Sequence, residues 1–87
     1  MDREELRQAL RQKLEEDTGV VVPSLDDNIN LRTDLNLDSI DFVSLIIHVQ
    51  SEYGIVLDTK ELEPVVRVGE LLDLLGTKLA SVKQEAA

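Results

Sequence analysis

A serine set among aspartates, Asp38-Ser39-Ile40-Asp41, is the part of this 87-residue chain whose residue types and spacing best suit chemistry. A serine becomes a nucleophile when a base lies within hydrogen-bond reach. His48 is the one histidine in the chain. Nine residues on, it would lie roughly 13.5 Å along a helix axis and about 180° around it. It cannot serve Ser39 within that helix, which argues against a self-contained hydrolase. Helix starts attract anions, yet Asp38 and Asp41 repel them and no Lys or Arg is near in sequence. What remains is a hydroxyl on an acidic ledge, to be activated by something else; a plain cap serine is the other reading. Asp26-Asp27-Asn28-Ile29-Asn30 imitates the start of a calcium loop. Its sixth and twelfth positions, however, hold Leu31 and Leu37 where glycine and glutamate are needed. It reads as a polar loop, and no metal site is expected.

These residues need elements to position them. Ser39 to Tyr53 is expected to be a helix, with Asp38 as its N-cap, Asp41 near the positive end of its dipole and Gly54 as its end. At about 100° per residue, Phe42, Leu45, Ile46, Val49 and Tyr53 share one face, which should be core. Asp41, Ser44, His48, Ser51 and Glu52 share a wet face. Ile40, Val43 and Ile47 form an apolar flank, which is either further core or a surface for a partner. His48 itself is either a plain surface residue or a mild pH-sensitive contact.

Before this helix, Leu6, Leu10 and Leu14 recur at every fourth position across Glu4 to Glu16, an amphipathic helix that Gly19 should stop. From Val20 to Asp38 no helical period exists. Leu25, Ile29, Leu31, Leu35 and Leu37 should pin that stretch as an ordered long loop, which is unusual in so small a domain. Asp58-Thr59-Lys60-Glu61 resembles a capping box, and Pro64 should keep that third helix to a turn or two. Gly69-Glu70 opens a fourth helix with Leu71, Leu72, Leu75, Leu79 and Val82 on its inner side, which either ends early at Gly76 or runs on past it. Val20 to Val22 and Ile55 to Leu57 have strand character but are too short and isolated to make a sheet. The expected architecture is an all-α four-helix bundle, with three longer helices, one short one and a long ordered loop between the first two.

Composition narrows the function. With 43% hydrophobic and 31% charged residues the chain is globular, and its 15 Leu, 10 Val and 5 Ile imply an aliphatic core. The length allows one domain, over 1–87. The net charge of -9 argues against nucleic acid and anionic membrane surfaces and favours basic protein partners. Residues 26 to 63 hold nine acids against Arg32 and Lys60, so -7 of that charge surrounds Ser39. Zero cysteines exclude disulfides and thiolate chemistry. No apolar run spans a bilayer and the N-terminus is too charged for a signal peptide. A cytoplasmic monomer without membrane insertion is expected.

The run Asp34-Leu35-Asn36-Leu37-Asp38-Ser39-Ile40-Asp41 resembles the D-L-G-x-D-S-L-D attachment motif of acyl carrier proteins, and Val68-Gly69-Glu70 resembles the opening of that family's last helix. The resemblance covers nearly the whole chain. It implies that Ser39 receives a 4'-phosphopantetheine arm from coenzyme A, whose thiol carries an acyl group as a thioester. The modifying enzyme would be a phosphopantetheinyl transferase, with Asp38 helping to place its metal. Acyl-loading, condensing and acyl-transferring enzymes with basic surfaces would meet Ile40, Asp41, Val43, Ser44, Ile47 and Glu61. Ile46, Val49, Leu62, Val65, Leu72 and Leu75 are candidates to line an acyl pocket, and core packing accounts for each equally well. The chain would be a carrier for fatty-acid, lipid or polyketide-type synthesis, not an enzyme. Asn36 replaces the family's glycine and Ile40 its leucine. The second helix is poorer in glutamate than in housekeeping fatty-acid carriers, which suggests a specialised carrier. An aminoacyl or D-alanyl carrier, or an unmodified acidic helical adaptor, are the alternatives.

Overall fold

Leucines at every fourth position make the first helix. In the computed structural model, which describes residues 2–86, α1 spans Arg3–Thr18 and buries Leu6, Leu10 and Leu14. Asp2 accepts the Glu5 N–H at 2.8 Å while Glu5 reaches back to the Asp2 N–H, a reciprocal capping box. Gly19 closes the helix at φ 76° with its N–H on Glu15 O, a left-handed cap that a β-carbon would strain. α2 runs Ser39–Tyr53 and ends on Gly54 in the same manner. α3 is a single turn, Thr59–Leu62, started by a second capping box between Asp58 and Glu61. α4 spans Val68–Ala86. Among the described residues no strand forms: the runs 20–22 and 55–57 have no regular secondary structure, and an isolated bridge joins Asn30 to Arg67. The chain is all-α, with four helices.

α1 packs against both α2 and α4. The core between them is aliphatic, with Leu14, Leu45, Val49, Val68, Leu71, Leu72 and Leu75 almost wholly shielded and Phe42 as its buried ring. α2 turns Phe42, Leu45, Ile46 and Val49 inward, the face its period predicts.

The long loop is held on three sides. Inside, Leu25, Leu31, Leu35 and Leu37 are buried and Ile29 packs against them. Toward α4, Leu31 N–H donates to Val66 O at 2.9 Å, Val68 N–H to Ile29 O at 2.9 Å and Gly69 N–H to Asp27 O at 3.1 Å. That approach is close: a β-carbon on Gly69 would lie 3.0 Å from that of Asp27. On the outside, three arginines one turn apart on α1 hold the loop. Arg11 Nε donates to Val22 O at 2.8 Å, Arg7 Nη1 to Leu25 O at 2.6 Å, and Arg3 Nη2 to Gly69 O at 3.1 Å. Arg7 and Arg3 also grip the Asp27 carboxylate, at 2.7 and 3.0 Å.

Hydrogen bonds from Arg7 and then Arg3 hold the Asp27 carboxyl below its ordinary value. A carboxyl lowered in this way stabilises the fold fully above the unfolded-state value, and that contribution is lost as pH falls through the lowered one. Asp27 and Arg3 are about half exposed, so solvent keeps the contribution small.

At its start α4 differs from the sequence expectation, and at Gly76 it takes one of the two courses the sequence left open. α4 opens at Val68, a residue before Gly69, and it does not stop at Gly76 but continues through it. The leucines on either side, Leu72, Leu75 and Leu79, pack against the core, and that burial outweighs a glycine penalty of about 1 kcal/mol. No neighbouring atom lies within 4 Å of where a Gly76 β-carbon would sit. Gly76→Ala should therefore add roughly 1 kcal/mol of stability. A thermal melt should show this as a rise of about 4–8 °C; an unchanged or lower midpoint would mean the site is not open.

Candidate functional site

Ser39 is the first residue of α2 and is exposed. The preceding loop turns sharply to place it there. Asn36 adopts φ 56°, a left-handed conformation that asparagine tolerates where most side chains do not. Leu35 and Leu37 on either side of it are buried. Two anchored leucines thus bracket the turn, and the next residue must emerge at the surface. Asp38 Oδ1 accepts the Asp41 N–H at 2.8 Å, the N-cap that the sequence implies. Its second carboxylate oxygen has no hydrogen-bond partner among the described residues.

The apolar flank of α2 is not further core. Ile40, Val43 and Ile47 are 79%, 53% and 54% exposed, on the same helix as Ser39. Asp41 and Ser44 beside them are part-buried. Glu61 is placed differently from the rest of that predicted set. Its carboxylate pairs with Lys78 at 2.7 Å and serves the α3 capping box, so it ties α3 to α4. His48 is likewise engaged: its Nδ1 lies 2.6 Å from Asp17 Oδ2 on α1.

A cleft of about 200 Å³ opens between α2 and α3, lined by Phe42, Val43, Ile46, Ile47, Leu57 and Leu62 with Gln50 and Thr59. Of the predicted pocket set it takes in Ile46 and Leu62. Val49, Val65 and Leu75 belong to the buried core, while Leu72 lies in the core and also borders a hollow between α1 and α4. Sequence reading missed Phe42, Val43, Ile47 and Leu57 as lining. The first three stand one and two turns below Ser39 on its own helix, a signal that was available. The cleft is smaller than the ~300–1,000 Å³ usual for a ligand pocket. Its outer wall, α3, has no buried residue, which makes it the wall that can give way.

Charge around the site is unbalanced. Arg3 and Arg7 are paired with Asp27, Arg7 also with Glu4, Lys13 with Glu52 and Lys78 with Glu61. Within 26–63, Asp26, Asp34, Asp38, Asp41, Asp58 and Glu63 make no ion pair among the described residues. The surface presenting Ser39 is therefore a negative field with an apolar strip beside it.

This geometry has counterparts among known proteins. The family described as the phosphopantetheine attachment site matches residues 8–75, a segment that includes Ser39. An acyl carrier protein of Saccharopolyspora erythraea is 33% identical over 94 aligned residues, covering 100% of this chain and 99% of that protein. One from Thermotoga maritima is 31% identical over 77, covering 88% and 95%. A crystal structure of an acyl carrier protein from Thermotoga maritima shares the fold at a TM-score of 0.85, with 23% identity over 94% of this chain and 95% of that one. Fold and matched segment define a phosphopantetheine-bearing carrier domain. The chain belongs to the acyl carrier protein family, whose cofactor is 4'-phosphopantetheine and whose members carry cargo rather than catalyse.

Removing the cap should loosen the site. Asp38→Ala leaves the Asp41 N–H without its acceptor and should cost about 1 kcal/mol. A thermal melt should fall by about 4–8 °C, while a melt matching the parent would show that the cap is not holding the helix start.

Proposed function

We propose that this protein is a cytoplasmic carrier whose arm is attached through Ser39 Oγ and which delivers acyl groups to enzymes of fatty-acid, lipid or polyketide-type synthesis. The observation that carries this is the exposed hydroxyl at the first turn of α2, inside the segment matched to the attachment family. The residues fit the group. An exposed helix start gives a modifying enzyme access to the oxygen from outside, and no buried base is needed because the transferase brings its own. In the transfer, Ser39 Oγ would gain the phosphopantetheine of coenzyme A and lose its proton, with adenosine 3',5'-bisphosphate as the leaving group. The attached arm supplies a flexible thiol that holds the cargo as a thioester.

The chain's own residues do the rest. Asp38 holds α2 in register with one oxygen and leaves the other for the metal of the transferase. Asp41 and its unpaired acidic neighbours draw basic enzyme surfaces toward Ser39, which speeds encounter and makes it salt-sensitive. Ile40, Val43 and Ile47 then give those partners an apolar strip to cover, the helix-face mode of recognition. Among the described residues no helix is long and apolar enough to cross a membrane.

Intact mass spectrometry tests the assignment. Incubated with coenzyme A and a phosphopantetheinyl transferase, the parent should gain the mass of one phosphopantetheine and Ser39→Ala should gain none. A parent left unmodified by several transferases, or a Ser39→Ala variant that still gains the mass, would contradict it.

A further inference from the structure

Arg32 stands apart from the chain's other arginines. Arg3, Arg7, Arg11 and Arg67 each donate to a carboxylate or a backbone carbonyl. The Arg32 guanidinium makes no hydrogen bond or ion pair among the described residues. It lies instead over the Phe42 ring, 5.1 Å from its centroid, a cation–π contact that places the charge without neutralising it.

The backbone beneath it is fixed: Arg32 N–H donates to Asn30 Oδ1 at 2.9 Å and Leu37 N–H donates to Arg32 O at 3.0 Å. A planar five-donor group thus lies on a ring, exposed, with no protein acceptor for its donor edge among the described residues. It borders a hollow of about 200 Å³ with Phe42, Val43, Thr59, Leu62 and Glu63. Four of these residues also line the α2–α3 cleft, so the two spaces adjoin. Arg32 is the one cation on either wall, and Phe42 and Val43 stand one turn from Ser39 on α2. Glu63 faces the same hollow without reaching ion-pair distance of Arg32.

We infer that Arg32 is an anion-binding residue of this cleft, receiving an oxyanion delivered by the arm on Ser39: the arm's phosphodiester, or a carboxylate at the far end of the cargo. A guanidinium in a partly apolar setting binds such groups through paired, charge-assisted hydrogen bonds. With a carboxylate-terminated cargo, Arg32 sorts dicarboxylic acyl groups from neutral ones of equal length; with the phosphodiester, it fixes the direction in which the arm leaves the helix. Glu63 opposes either binding. The inference rests on Ser39 as the attachment point.

The test uses the full chain, 15N-labelled, in four forms made with a phosphopantetheinyl transferase and checked by mass: unmodified, and loaded from coenzyme A, butyryl-coenzyme A and succinyl-coenzyme A. The readout is the Arg32 Nε–H resonance. A shift between the unmodified and unacylated-arm forms identifies the phosphodiester as the ligand. A shift in the succinyl form that the butyryl form lacks identifies a cargo carboxylate. In either case Glu63→Gln should enlarge the shift, and Arg32→Gln should abolish the matching displacement of the Phe42 ring protons. Full mass gain with an Arg32 signal constant across all four forms overturns this inference and leaves Ser39 in place. So does a Glu63→Gln shift of that signal in the unmodified protein that equals any seen on loading, since Glu63 would then be its partner. No mass gain in the parent overturns both.

Discussion

Everything at the working end of this protein depends on holding still the residues between α1 and α2, positions 19–38, without helix or sheet. A chain segment of that length would ordinarily be the most mobile part of so small a domain, and Ser39 sits at its end. Two kinds of interaction hold it. Four buried leucines supply the apolar share. Arg7 and Arg11 satisfy the loop carbonyls of Leu25 and Val22, which matters because an unpaired backbone group near the core costs about as much as a lost hydrogen bond, and Arg3 joins the loop's Asp27 to Gly69 O at the start of α4. Hydrogen bonds to the residues before and at the start of α4 close the third side. Asp38 and Ser39 thereby emerge from a fixed corner.

That arrangement also divides the charge. The chain has half as many cations as acids, and much of its positive charge is spent inside the fold, on the loop, on Glu52 and on Glu61. Asp38 and Asp41, which flank Ser39, are among the acids left without an ion pair among the described residues. Structural use of arginine on α1 and the negative field at α2 are two aspects of one distribution, and the field serves recognition because the structure consumes its counter-charges elsewhere. Arg32 and Lys60 are left unpaired among those acids, and Arg32 is the one stacked on a ring.

Much of this was legible in the sequence where the signals are local. The bounds of α2, its Asp38 cap and the Gly19 and Gly54 stops depend on residues a turn apart. The loop leucines stood out because nothing else would explain apolar residues without a period. The arginine ladder was visible as spacing, Arg3, Arg7 and Arg11 at every fourth position, but its acceptors are carbonyls as far away as Gly69, and no side-chain type marks a carbonyl. His48 to Asp17 is a pairing of the same long-range kind. Gly76 left the end of α4 open because propensity is a weak prior; the leucines flanking it, packed on the core, decide that the helix continues. Pocket lining was the least legible, since an apolar residue on a helix can face core or cleft, and only the placement of α3 decides between them.

The central claim is that the loop is a fixed structural element, and native-state amide hydrogen exchange tests it most directly. Leu31, Leu37, Val68 and Gly69 each donate their N–H to a backbone carbonyl within the loop or between it and the approach to α4. If the loop is held as described, these four amides exchange as slowly as the buried turns of α2 and open together with them. If they exchange at the rate of an unstructured peptide while α2 stays protected, the corner that presents Ser39 is not fixed and the account fails.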